Sequence, residues 1–292
     1  MAEPQGAFDR DTAVRQAAEI AGGVLFDAEV AEGWRAGRGP HGGYLAAMIL
    51  RALSEANGAQ QPEQPGEPAR SARSLTIHFL RAPEPGAVTI AAHLERAGRR
   101  LSSLSARMLQ GERTVALALA AFSPPWQGPE VSELSMPEVE PPDAGREPGA
   151  LIAPEQGGPE FGRYITTQRR FGGTPFAAAS QPMETGGWIG LLPPRAVDAL
   201  SLAFFTDALI PTPFLHTRQP APAPTIDITI HFRTSLPRPP AAGRPLNDTG
   251  ELVLARARAR LIHEGFFEED VLIWGADGTL LAQSRQLALM LG

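Results

Sequence analysis

Asp207 has the spacing of a functional carboxylate. It falls three residues after Phe204 and seven after Leu200, so a helix over this stretch turns it onto its apolar face. A carboxylate there is costly unless partnered, and one withdrawn from water holds a proton more tightly, as a general base must. The same spacing also fits a helix that frays before Pro211 and leaves Asp207 as a solvated end residue. Thr225 and Asp227 open a strand-like run and alternate with Ile226 and Ile228, so they share its polar face. Gln283 and Gln286 interrupt a late apolar run. An odd separation makes them face oppositely in a regular strand, and a buried glutamine needs hydrogen-bond partners. His41-Gly42-Gly43 precedes an apolar helical stretch, where free backbone N–H groups could hold an anion or oxyanion. The glycines equally fit a tight turn, and His41 a capping or packing role.

Composition removes several other chemistries. The 292-residue chain has no cysteine, which excludes disulfides, thiolate catalysis and Cys-based zinc sites. All 26 basic residues are arginine, so Schiff-base chemistry is excluded, and the arginine, Ala, Gly and Pro bias reads as a GC-rich genome. His41, His78, His93, His216, His231 and His263 are scattered without metal-ligand spacing, and neither a metal nor a cofactor is expected. A net charge of −6 without a basic run argues against nucleic acid. Arg96, Arg99 and Arg100, and the row Arg256, Arg258, Arg260, remain candidates for phosphate contacts or solvated faces. Ser102, Ser105 and Ser180 lack the Gly-x-Ser-x-Gly context of a nucleophile. No apolar run suits a membrane span, and the start of the chain lacks a signal-peptide core, so a cytoplasmic protein with no membrane partner is expected.

The elements that would position these residues come in two similar sets. Thr76-Ile77-His78-Phe79 recurs unchanged at Thr229-Ile230-His231-Phe232, each copy preceded by an apolar helical stretch and followed by strand-like runs. A pattern stated twice points to two similar domains about a pseudo-two-fold axis, with a pocket at their junction. In the first, the helix over Tyr44–Leu53 is followed by a polar loop over Asn57–Ala72 and strands at Ser74–Leu80, Ala87–Glu95, Arg100–Leu109 and Thr114–Phe122. In the second, strands at Phe161–Arg170 and Thr185–Leu191 precede a helix over Arg195–Leu209. Strands at Thr225–Arg233, Glu251–His263, Gly265–Trp274 and Thr279–Met290 complete it. The expected division is a domain over 1–125, a Pro-rich linker over 126–158 and a domain over 159–292, each domain an antiparallel sheet around a buried helix.

Gly39-Pro-His-Gly-Gly-Tyr-Leu-Ala-Ala-Met, Ser74-Leu-Thr-Ile-His-Phe-Leu-Arg-Ala-Pro with 96–107, Phe205-Thr-Asp-Ala-Leu, Thr225-Ile-Asp-Ile-Thr-Ile-His-Phe-Arg and Asp277-Gly-Thr-Leu-Leu-Ala-Gln-Ser-Arg-Gln resemble, in order and spacing, the double-hotdog acyl-CoA thioesterases of type II. The resemblance implies an α+β double hotdog, two tandem antiparallel sheets each wrapped around a central helix. It also implies hydrolysis of acyl-CoA to free acid and CoA. In that family an Asp on the second helix, a Ser or Thr opening the next strand and a Gln on the last strand hold a water. Asp207, Thr225 and Gln286 match them, with Gln283 as the alternative for Gln286. His41, Gly42 and Gly43 would contact substrate. His-Gly-Gly-Tyr replaces the Phe-Gly-Gly-Gln that other members can have, and no acidic residue lies between Tyr44 and Leu53, so one catalytic centre per chain is implied. A homodimer of double hotdogs and a bacterial role in fatty acid metabolism are further expectations of the resemblance. The rival readings are a hotdog enoyl-CoA hydratase or dehydratase, against which Asp207 and His216 lack the Asp-x-Asn-Pro-x-His pattern, and a non-catalytic acyl-CoA or lipid binder.

Overall fold

The computed structural model describes residues 6–61, 69–143, 145–147, 149–150, 152–177, 182–236 and 252–291. The first half comprises α1 (Ala7–Asp11), β1 (Val14–Ile20), β2 (Gly23–Val30), β3 (Arg35–Ala36), β4 (Gly39–Pro40), α2 (Gly42–Gln60), β5 (Ser71–Phe79), β6 (Gly86–Ala97), β7 (Ser102–Gln110) and β8 (Arg113–Ser123). The second comprises β9 (Ile165–Phe171), β10 (Glu184–Leu191), α3 (Ala199–Phe205), β11 (Thr225–Phe232), β12 (Val253–Arg258), β13 (Ile262–His263), β14 (Phe266–Trp274) and β15 (Leu280–Leu289).

The two sheets are joined edge to edge. The strand order is β1-β2-β6-β7-β8-β5-β11-β15-β14-β12-β10-β9, with β13 beside β14, and every pairing in it is antiparallel. The seam is the repeated tetrapeptide: β5 pairs with β11 so that Thr76 faces Thr229, and their hydroxyl oxygens lie 3.1 Å apart. Antiparallel pairing of identical segments centred on the same residue places the pseudo-two-fold axis through that pair.

The first turns of helix α2 are apolar on all sides because they are covered on all sides. Tyr44 through Leu50 are all buried, between the curved sheet and α3. The helix runs past the expected end at Leu53: Asn57, read as the start of a loop, is buried, and its Oδ1 accepts from Ser102 Oγ at 2.6 Å. Residues 62–68 of that predicted loop lie outside the described residues, as do Ser180 and Glu251. Helix α3 is shorter than expected, starting where Asp198 caps it. Asp198 accepts from the Ser201 backbone N–H at 2.8 Å, and the Ser201 hydroxyl accepts from the Asp198 N–H. The segment over 161–170 begins as a 3-10 turn at Glu160–Tyr164, and β1 and β2 add a hairpin that the sequence reading left unassigned.

Residues 136–143 have no regular secondary structure and lie against the second sheet. The Glu140 carbonyl accepts from Trp188 Nε1 at 2.9 Å, and Met136 and Val139 pack on Trp188, Leu254 and Trp274. Trp188 and Leu254 alternate with core-facing Ile189, Val253 and Ala255, so this segment covers the other face of the sheet.

Candidate functional site

Asp207 lies two residues beyond the last residue of α3 rather than on its apolar face. The helix stops there, yet the side chain is only 15% exposed because the first half receives it. The Gly43 backbone N–H donates to Asp207 Oδ2 at 2.9 Å. His41 caps α2: its Nδ1 accepts from the Tyr44 N–H at 3.2 Å. That fixes the tautomer, so Nε2 carries the hydrogen and points at the Asp207 backbone carbonyl, 2.9 Å away, with Oδ2 at 3.5 Å. Burial pushes the His41 imidazole below its usual range, against the opposing influence of Asp207, and so favours the neutral ring. The helix start thus does hold an anion, and that anion is the protein's own carboxylate.

Both glycines sit in close contact with the second half. A Cβ at Gly42 would stand 2.9 Å from Asp207 Oδ2, and one at Gly43 would stand 2.5 Å from the Phe204 carbonyl oxygen. The two helices therefore cross with backbone nearly touching backbone at the point where Asp207 is held. Tyr44, in the place of the family's Gln, has its own structural task. Its ring stacks on Trp34 at 5.1 Å, and its hydroxyl donates to the Asp11 carbonyl at 2.8 Å.

Thr225 opens β11 ahead of a register irregularity, and its hydroxyl donates to Gln286 Oε1 at 2.8 Å. Gln286 is buried on the same face of β15 as Ala282, Ser284 and Ala288, whereas Gln283 has the opposite parity. The two glutamines left open by the sequence are thereby separated: Gln286 is the one that joins Thr225. Its Nε2 donates at 3.1 Å to Glu269 Oε1, a residue that sequence reasoning passed over. Glu269 is 3% exposed and also accepts from the Thr212 backbone N–H at 2.8 Å. Burial pushes its carboxyl up to about 7, against the hydrogen bonds from Thr212 and Gln286 and with the Asp207 charge adding to the rise. The missed signal was alternation: Phe267, Glu269, Val271 and Ile273 share the buried face of β14.

His41, Gly42 and Leu45 from the first half and Asp207, Thr225 and Phe161 from the second line a common cavity of about 910 Å³. It lies at the junction of the halves, as expected. The arginine candidates lie elsewhere. Arg256 pairs with Glu184 at 2.6 Å, Arg260 with Asp270 at 2.7 Å, and Arg100 sits over Trp126. Arg38, Arg81 and Arg169 line the cavity instead. Among the described residues no cluster of three or more His, Asp or Glu could hold a metal ion, and no helix is long and apolar enough to cross a membrane.

Two family models match successive parts of the chain. Residues 30–123 match the family model described as the acyl-CoA thioesterase N-terminal domain, and residues 137–290 match the acyl-CoA thioesterase C-terminal domain. Uncharacterized proteins of Mycobacterium tuberculosis and Mycobacterium bovis are 31% identical over 103 residues, 35% of this chain. The chain spans about a third of the length of these curated relatives, 33%. A conserved protein of unknown function with a hot dog fold from Alicyclobacillus acidocaldarius superposes with a TM-score of 0.79 at 25% identity, covering 99% of both chains. An acyl-CoA thioesterase II from Mycobacterium marinum superposes with a TM-score of 0.66 at 16% identity, over 97% of this chain and 96% of that one. The fold is therefore the double hotdog.

Proposed function

The chain belongs to the acyl-CoA thioesterase family, and from that premise we propose that it hydrolyses acyl-CoA thioesters at the junction cavity, with Asp207 as general base. The observation that carries this reading is the seating of Asp207. A carboxylate from one half is clamped by the helix start of the other and borders, with Thr225, a cavity large enough for an acyl thioester.

Water donates one hydrogen to Asp207 and the other to Thr225 Oγ, whose own hydrogen is committed to Gln286. Its remaining lone pair attacks the thioester carbonyl as its proton passes to Asp207, a positioned transfer that commonly contributes about 10²–10⁴-fold. Gly43 and Tyr44 have spent their N–H groups on Asp207 and His41. We assign the oxyanion to the Gly42 N–H, which has no partner among the described residues. Collapse breaks the C–S bond, and the departing thiolate takes the proton from Asp207. His41 clamps Asp207 rather than carrying protons, because both its ring nitrogens are engaged inside the protein. This also disfavours the hydratase reading, which needs a histidine free to exchange a proton with substrate. Arg38, Arg81 and Arg169 are the residues assigned to the CoA phosphates.

Free-thiol release from acyl-CoAs of increasing chain length tests the reading, and the cysteine-free protein gives no background of its own. Asp207→Asn is expected to keep the fold and bind acyl-CoA while losing hydrolysis. Wild-type turnover in that variant would refute the assignment. Hydration of crotonyl-CoA without thiol release would favour the hydratase.

A further inference from the structure

Glu269 is a buried titratable group for which hydrolysis, as derived so far, has no use. It sits directly across the ladder from Gln286, and both its oxygens are engaged, Oε1 by Gln286 Nε2 and Oε2 by the Thr212 N–H. Thr212 belongs to the segment that follows Asp207, where the Ile210 carbonyl is also pinned, by Thr185 Oγ1 at 2.8 Å. One carboxylate thus joins the strand carrying Gln286 to the segment carrying Asp207.

An amide has a donor end and an acceptor end, so fixing one fixes the other. While Glu269 is ionised it accepts at both oxygens. Gln286 must turn its NH₂ to Glu269 and its carbonyl to Thr225, which draws the Thr225 hydrogen away from the cavity. A proton on Glu269 would point at one of two donors, and the relief available is for the Gln286 amide to turn over, releasing the Thr225 hydrogen. Burial pushes the carboxyl up to about 7, so this exchange falls within the physiological range. The charge bearing on Glu269 from the helix side is that of Asp207, which opposes its ionisation. From its own sheet, Glu268, Asp270, Arg260 and Arg285 lie on the opposite face, where Asp270 pairs with both arginines.

We propose that Glu269 is a positioning residue for hydrolysis: through Gln286 it sets the direction of the Thr225 hydroxyl, and through Thr212 it holds the Asp207 segment against the sheet. This rests on the thioesterase reading above. In E269Q, kcat is expected to fall about 10- to 100-fold with KM within about twofold, the scale on which groups that hold a functional side chain act. The limb of the wild-type kcat–pH profile near neutrality should vanish with it. The substituted amide still offers an oxygen to Thr212, so the loss should run through Gln286. Adding E269Q to Gln286→Ala is then expected to cost less than about twofold more.

A second readout needs no turnover. The Glu269 carboxyl carbon, identified by its absence from the NMR spectrum of E269Q, should titrate near neutrality in the wild type. It should titrate higher in Gln286→Ala, where a donor to the carboxylate is gone. Wild-type kcat and pH profile in E269Q, or a carboxyl that titrates in the ordinary range regardless of Gln286, would overturn the proposal. Failure of the wild type to release thiol from any acyl-CoA would instead refute the hydrolase reading, leaving the NMR titration to decide whether the network exists.

Discussion

Gly42 and Gly43 adjoin the same carboxylate but should fail differently when a methyl is added. At Gly42 the new Cβ meets the end of the Asp207 side chain at 2.9 Å and the Phe79 ring at 3.5 Å. The side chain can yield, so Gly42→Ala is expected to lose most thiol release at a nearly unchanged melting temperature. At Gly43 the Cβ meets the Phe204 carbonyl at 2.5 Å, backbone that cannot turn aside. Gly43→Ala should therefore lose about 1–3 kcal/mol of stability as well as activity, read by thermal unfolding beside the assay. Glu269 supplies a pH prediction with a definite sign. Its folded-state value is raised to about 7 from an ordinary 4.5, so between those values the folded chain holds more protons than the unfolded one. Stability must then fall as pH rises through that window. Wild type measured against E269Q should lose melting temperature from about pH 5 to about pH 7.5 and level off above it; a difference independent of pH would contradict the burial. Asp207, Thr225 and Gln286 were brought together by the family resemblance and not by their own spacing, which left Asp207 open to a solvated helix end and Gln286 open against Gln283. Glu269 was concealed in Glu268-Glu269-Asp270, which reads as a charged surface unless strand parity is followed. The capping role of His41 was among the readings the sequence offered; its hydrogen bond to Asp207 was not, since that partner lies 166 residues away.

At the scale of elements, α3 is the weakest link in the site. Seven residues are too few for an isolated helix, so its existence depends on packing against α2 and on its cap. Asp198 is that cap and also pairs with Arg195 at 2.9 Å, which in turn reaches Asp9 at 3.1 Å. Asp198→Ala should cost about 1–2 kcal/mol. It should also lower kcat, because Asp207 is set by where the helix ends; circular dichroism melts and thiol release would check both, and an unchanged kcat would place the control of Asp207 wholly in Gly43. The apolar stripe over Val197, Leu200, Phe204 and Ala208 announced a helix without bounding it. Periodicity cannot distinguish a helix from the turn that continues its apolar face, and Asp198 and Arg195 act in three dimensions. The reverse error occurred at α2. Its polar last turns looked like loop because the Asn57–Ser102 hydrogen bond that anchors them is non-local. Strands fared better, since alternation between turn residues is local information.

At the scale of the whole molecule, the halves should not be separable units. The sheets are continuous across β5 and β11, and Asp207 of the second half is held by Gly43 and His41 of the first. Trp34 is buried at the same junction, stacked between Tyr44 of its own half and Tyr164 of the other, with ring centroids at 5.1 Å and 4.5 Å. Trp188 and Trp274 lie on the other face of the second sheet, beneath Met136 and Val139. A variant retaining only Trp34 and one retaining only Trp274 therefore report on the junction and on the far sheet. If the junction is integral to both halves, their fluorescence transitions in urea coincide. An earlier Trp34 transition would mean that the halves part before either unfolds, and activity would then vanish at the first midpoint, because parting withdraws the Gly43 N–H from Asp207. Residues 159–292 expressed alone carry Asp207, Thr225 and Gln286 together but lack the Gly43 and His41 contacts, the β5 partner of β11 and the first half's share of the cavity wall. The fragment is expected to release no thiol from acyl-CoA, whereas full activity in it would show that the second half seats its own base and that the first serves only to close the cavity.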